Sequence, residues 1–178
     1  MTDTGPNTWN HPAALTDEEL LSVCETQRTR RGGPGGQHRN KTETAIVVTH
    51  LESGVSGQAS ERRSQKANKE EAVFRLRLNL AVAFRTLIDV ANDEVEPGEL
   101  WKRRASGRKM MVSTSHRDFP ALIAEALDWV SSFDFELGAA ARRLGLSTSQ
   151  LVKFLKLCPE AWQWIQQQRH QRGLPRLK

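Results

Sequence analysis

Tyrosine is absent from this 178-residue chain, and aromatic residues make up only 6% of it. Cysteine is almost absent too: Cys24 and Cys158 are the only two, and they lie far apart. That excludes a disulfide framework and a Cys-rich zinc site, and makes a reducing, cytoplasmic setting the expectation. The longest unbroken apolar run, Leu80 to Phe84, is five residues. A membrane-crossing helix needs roughly 20, so no membrane partner is expected. No Lys or Arg precedes Arg28 and no apolar leader is present, so no signal peptide is expected. The P-loop spacing is missing, because Lys41 follows Asn40 rather than Gly. His38 and His50 have no nearby Cys and no clustered carboxylates. No metal and no cofactor are therefore expected, and His50 reads as a structural hydrogen-bonding residue.

What is present is positive charge, unevenly placed. Residues 1–27 carry five acids and no base, whereas the rest carries all 26 Lys and Arg against 16 acids, or +10. A body this basic suits a polyanionic partner, RNA or DNA being the usual one.

The pattern along the chain predicts an α+β fold in two parts. Residues 1–15 read as a disordered lead. A first domain spans 16–90, opened by a capping-box helix at Thr16 and Glu19. It continues with a strand from Cys24, a β-branched strand from Thr44 to Leu51, and a short returning strand from Val55 to Ala59. A helical period then runs from about Arg62 to Val90, with Ala72, Leu76, Leu80, Ala83 and Leu87 on one stripe. The domain is thus a short sheet with a packed long helix. Residues 91–118 have no clear period and read as a basic linker, with Arg103, Arg104, Arg108 and Lys109 in its densest stretch. Residues 119–168 form a small all-α, helix-turn-helix-like domain. It comprises an amphipathic helix through Leu122, Ile123, Ala126, Leu127 and Val130, a second from Leu137 to Leu144, a third N-capped by Ser147, and a fourth opened by Pro159. Trp129, Trp162 and Trp164 read as core or half-buried. Residues 169–178 are a basic tail with Arg169, Arg172, Arg176 and Lys178.

Between the first two strands the chain reads Arg31-Gly32-Gly33-Pro34-Gly35-Gly36-Gln37-His38-Arg39-Asn40-Lys41-Thr42. Four Gly and a Pro in six residues force a loop. Thr49-His50 and Glu61-Arg62-Arg63-Ser64-Gln65-Lys66-Ala67-Asn68-Lys69 follow. Taken together and in this order, these segments resemble the catalytic domain of class I peptide chain release factors, over roughly residues 17–90. The family pattern has one Arg before Ser-Gln, where this chain has Arg62 and Arg63. No counterpart of the family's codon-recognition domain is seen, so the resemblance extends to the truncated, codon-independent members that rescue stalled ribosomes.

The resemblance implies a release-factor fold for the first domain and ribosome-dependent hydrolysis of peptidyl-tRNA. Gly35, Gly36 and Gln37 would be catalytic, with ribosomal RNA supplying most of the site. The implied partners are the large-subunit peptidyl transferase centre, peptidyl-tRNA and a Gln37 methyltransferase, with the chain acting as a monomer. The chemistry is consistent with those residue types. Release is acyl transfer to water through an anionic intermediate, and the two glycines let a main chain approach closely where a Cβ would clash. A backbone N–H at the Gln position would stabilise developing charge. The Gln37 side chain has no useful pKa, so it would orient water rather than act as a base. Arg28, Arg30, Arg31, His38, Arg39 and Lys41 would contact ribosomal RNA, as would Arg103, Arg104, Arg108, Lys109 and the basic tail. A second reading is a nucleic-acid-binding regulator that uses the helix-turn-helix through Ser147, Thr148, Gln150 and Lys153. A third is an RNA-processing module.

Overall fold

The computed structural model describes residues 9–29 and 44–177. The first α-helix, α1 (Asp17–Ser22), has the capping box its sequence predicts. Thr16 Oγ1 accepts from the Glu19 N–H and the Glu19 carboxylate accepts from the Thr16 N–H. Three antiparallel strands follow: β1 (Cys24–Thr29), β2 (Ala45–His50) and β3 (Ser56–Ala59), in the order β1-β2-β3. The central strand is apolar because its Ile46 and Val48 point into the core, and β1 is an exposed edge.

The long helix α2 (Gln65–Ala83) lies across β3 and β2, with Ala72, Val73, Leu76, Leu80 and Ala81 buried. It is shorter than the predicted run to Val90. Phe84 turns to extended backbone, and the Arg85 guanidinium folds back onto the Ala81 carbonyl while pairing with Asp128. Leu87, which continues the helical period, is left 90% exposed.

Beyond it come α3 (Glu99–Arg104), a tiny hairpin of β4 (Ala105–Ser106) and β5 (Lys109–Met110), and four helices. These are α4 (Phe119–Ser132), α5 (Leu137–Arg143), α6 (Thr148–Leu155) and α7 (Pro159–Gln171). Every residue from Phe119 to Val130 is buried. The helix predicted to be amphipathic is instead enclosed, lying against α2 on one side and against α3 and α5 elsewhere.

Four expectations of organisation change. The boundary near residue 90 is crossed by one hydrophobic core that runs from Ala13 through Leu76 and Leu127 to Ile165. Residues 9–15 of the lead are packed into the fold: the Trp9 indole donates to Asp128 at 2.8 Å, His11 is buried, and Pro12–Ala14 forms a 3₁₀ turn. The 91–118 stretch is no free linker. Trp101 is buried with its indole N–H on the Leu144 carbonyl at 2.9 Å, and Lys102 pairs with Glu96 and Glu99. The tail folds back, with the Leu177 N–H donating to the Gln166 side chain. Among the described residues no helix is long and apolar enough to cross a membrane.

Candidate catalytic loop and nucleic-acid-facing surface

Strand pairing brings the two ends of the glycine loop together. Thr29 and Ala45 are cross-strand partners at the end of the β1–β2 ladder, so residues 30–43 leave and re-enter the sheet at one corner. Arg30, Arg31, Gly35, Gly36, Gln37, His38, Arg39 and Lys41 lie outside the described residues. Arg28 stands exposed on β1, one residue from that corner.

The corner is braced from α2. Ser64 caps the helix, its Oγ accepting from the Ala67 N–H at 3.3 Å. One turn in, Asn68 is fully buried and its side-chain amide donates to the Thr44 carbonyl at 2.6 Å. Beside it Arg75 pairs with Glu61 and Glu71. The hydrogen bonds from Arg75 and from nearby backbone N–H groups hold the Glu61 carboxyl down at about 2. His50 is buried at the far end of β2, its Nδ1 2.9 Å from Ser53 Oγ, in the structural place its sequence context predicts. Exposed Arg62, Arg63, Lys66 and Lys69 surround the N-terminus of α2. The sequence pattern contains these residues and Asn68 and carries no signal of which are exposed and which is buried. A motif read as text does not say which side chains point inward.

The remaining predicted cations divide by burial. Arg103, Arg108, Lys109 and Arg176 are exposed. Gly107 and Arg108 both have positive φ, +55° and +61°, which places Arg108 at the tip of the β4–β5 hairpin. Arg104 is half-buried on the Asp118 carboxylate at 2.7 Å, with His116 also in reach. Arg172 bonds Gln168 and lies over the Phe135 ring at 4.3 Å. Arg169 is a correction. It is 6% exposed, with its guanidinium on the Phe135 carbonyl at 2.5 Å and the Pro175 carbonyl at 2.9 Å, so it is consumed within the fold rather than offered to RNA. Lys178 lies outside the described residues.

In the helix-turn-helix-like pair, Gly145 makes the turn at φ +68° and Leu151 and Phe154 are buried. Thr148 and Lys153 are exposed, Gln150 is half-buried, and the Ser147 hydroxyl caps α6 through the Gln150 N–H at 3.3 Å. Trp129 is buried, and Trp162 and Trp164 are half-buried. Among the described residues no three His, Cys, Asp or Glu come together to hold a metal ion.

A second polar group lies under the lead segment. His11 Nδ1 accepts from the Ala13 N–H at 3.0 Å, which puts the ring proton on Nε2, 3.2 Å from the Phe84 carbonyl. Burial pushes the imidazole down to about 4. Burial also pushes Glu125 up to about 7, against the Gly98 N–H that donates to it, and Asp128 up to about 6 despite Arg85.

Known proteins match this chain. Residues 20–117 match the model of the RF-1 domain. The chain is 40% identical over 88 residues to peptide chain release factor 1 of Chloroherpeton thalassium, a match covering 49% of the chain and 21% of that protein. It is 45% identical over 56 residues to a peptide chain release factor homolog of Escherichia coli, covering 32% of the chain and 28% of that protein. Against peptide chain release factor 1 of Caldicellulosiruptor saccharolyticus it is 30% identical over 142 residues, 79% of the chain and 33% of that protein. The chain thus spans a third or less of the length of these relatives.

Proposed function

Because this chain belongs to the class I peptide chain release factor family, we propose that it hydrolyses peptidyl-tRNA on the ribosome. The observation that carries this reading is the corner where Thr29 meets Ala45, which holds both ends of the segment containing Gly35, Gly36 and Gln37 within the matched region.

The site is composite. Peptidyl ester and ribosomal RNA come from the ribosome, and the chain brings the loop. The backbone N–H at Gln37 stabilises the charge that develops on oxygen, a contribution of about 10²–10³ in rate for one preorganised donor. The Gln37 side chain orients the attacking water and is the residue that a methyltransferase would modify. Arg28, Arg30, Arg31, His38, Arg39 and Lys41 hold the loop against RNA, and exposed Arg62, Arg63, Lys66 and Lys69 extend that basic surface along α2. The chain works as a monomer.

The release is codon-independent and serves stalled ribosomes. The test is release of peptide from ribosomes with a sense codon, a stop codon or no codon in the decoding site. Equal release in all three is expected, and strong preference for stop codons overturns codon independence. In the same assay Gly36→Ala is expected to lower the release rate at least about 100-fold with binding nearly intact, since the ground-state interactions remain. Full release by that variant overturns the hydrolytic role of the loop.

A further inference from the structure

Asn68 sits in the first turn of α2 with no solvent exposure. Its Nδ2 donates to the Thr44 carbonyl at 2.6 Å and to the Arg62 carbonyl at 2.9 Å, while its Oδ1 accepts from the Arg62 N–H at 2.9 Å. Both amide hydrogens and the carbonyl are therefore engaged, each with a main-chain group. The Asn68 main chain is itself fixed, its N–H donating to Ser64 at the helix cap.

The partners matter more than their number. Thr44 is the residue through which the glycine loop re-enters the sheet, and Arg62 is in the segment leading into α2. One side chain thus ties the returning strand, the entry to α2 and the helix itself. No other side chain of the standard set meets these three groups in this space. A carboxylate would face two carbonyl oxygens, and an apolar group would leave three main-chain groups unmet in a buried place.

We propose that Asn68 is a positioning residue for peptide release: by holding the Thr44 peptide it fixes the point at which the segment carrying Gly35, Gly36 and Gln37 returns to the sheet. This rests on the reading that residues 35–37 perform hydrolysis. Asn68 touches no reacting atom. It acts through the anchor at Thr44, and a misplacement of about 1 Å at a reacting site can cost on the order of 100-fold in rate.

The test compares Asn68→Asp and Asn68→Ala with Leu151→Ala, a core substitution in α6 that controls for reduced stability. The aspartate variant keeps size but sets a carboxyl against two carbonyl oxygens, so the alanine variant remains usable if the aspartate variant folds poorly. Release is measured at saturating factor, alongside ribosome affinity, melting temperature and amide exchange. Both Asn68 variants are expected to release peptide roughly 10–100-fold more slowly at saturation, with affinity within about threefold, while Leu151→Ala keeps its rate. Folded Asn68 variants that release at the wild-type rate overturn the proposal, as does an equal loss in Leu151→Ala. If the wild-type chain itself releases no peptide, the hydrolytic reading fails, and the clamp is decided by exchange alone. Exchange at Ala45 in Asn68→Ala at least about tenfold faster relative to Val48 supports it, and unchanged exchange overturns it.

Discussion

Gly57 is where the sheet and α2 come closest. A Cβ there would lie 2.2 Å from the Ala72 carbonyl oxygen and 2.3 Å from the Leu76 nitrogen, both main-chain atoms that cannot rotate away. Gly57→Ala is expected to lower stability by about 3 kcal/mol or more, read as a shift of the urea midpoint. Glu125 offers a test of opposite sign. Its carboxyl ionises near 4.5 in the unfolded chain and is pushed to about 7 in the fold. The folded state therefore holds the proton more tightly. The stability from this group is complete below pH 4.5 and is lost as pH rises through 7, by roughly 3 kcal/mol in all. Glu125→Gln keeps an oxygen for the Gly98 N–H and removes that loss. It is expected to raise the melting temperature at pH 8 by several degrees and to flatten this part of the profile between pH 4.5 and 7. His11 acts in the other direction. Its pKa falls from 6.5 to about 4, so its contribution is complete above pH 6.5 and lost as pH falls towards 4. The Thr16–Glu19 box and the role of His50 were legible in the sequence because their partners are three residues away. Asn68, His11 and Glu125 were not, because each has a partner 6 to 73 residues distant and a polar letter does not announce burial.

At the scale of elements, the strands, α1 and the four C-terminal helices were legible, since period and capping signals are local. Besides α3 and the β4–β5 hairpin, which lie where a linker is expected, two things were not. The period through Leu87 is helical, yet burial of Arg85 beside Asp128 draws the chain away after Ala83. Clusters of Lys and Arg looked alike, yet Arg104 and Arg169 are held by internal partners while Arg103, Arg108 and Lys109 face solvent. This difference is measurable. Arg169→Ala should cost on the order of 3 kcal/mol, because it leaves the buried Phe135 carbonyl unmet, and leave the salt dependence of ribosome binding unchanged. Neutralising Arg103, Arg108 and Lys109 should leave the melting temperature nearly unchanged and reduce the slope of log binding constant against log salt. The reduction is roughly 0.7–0.9 for each phosphate that is no longer neutralised. Superimposable salt curves would remove the β4–β5 region from the proposed RNA-binding surface.

At the scale of the whole molecule, α2 is covered by the sheet on one side and by α4 on another. Cutting the chain after residue 118 would strip that cover from Leu80 and Ala81 and leave Asp128 absent from Arg85. The shortened chain is expected to lose its cooperative urea transition, whereas the full chain should unfold in a single step by tryptophan fluorescence and by circular dichroism. A shortened chain that unfolds as sharply as the full one would restore two independent domains. The pairing of Thr29 with Ala45 also sets a length scale. A tether fixed at one point and returning to it can extend no further than half its contour, which for the backbone from residue 29 to residue 45 is roughly 27 Å. That radius is the depth to which the chain can probe a cavity while the sheet stays outside. If the proposed hydrolysis takes place, the sheet corner comes to rest within that radius of the ester. Closing a longer tether would cost only about 0.6 kcal/mol for each doubling of its length. Depth of reach is thus a property this architecture can vary almost independently of its stability.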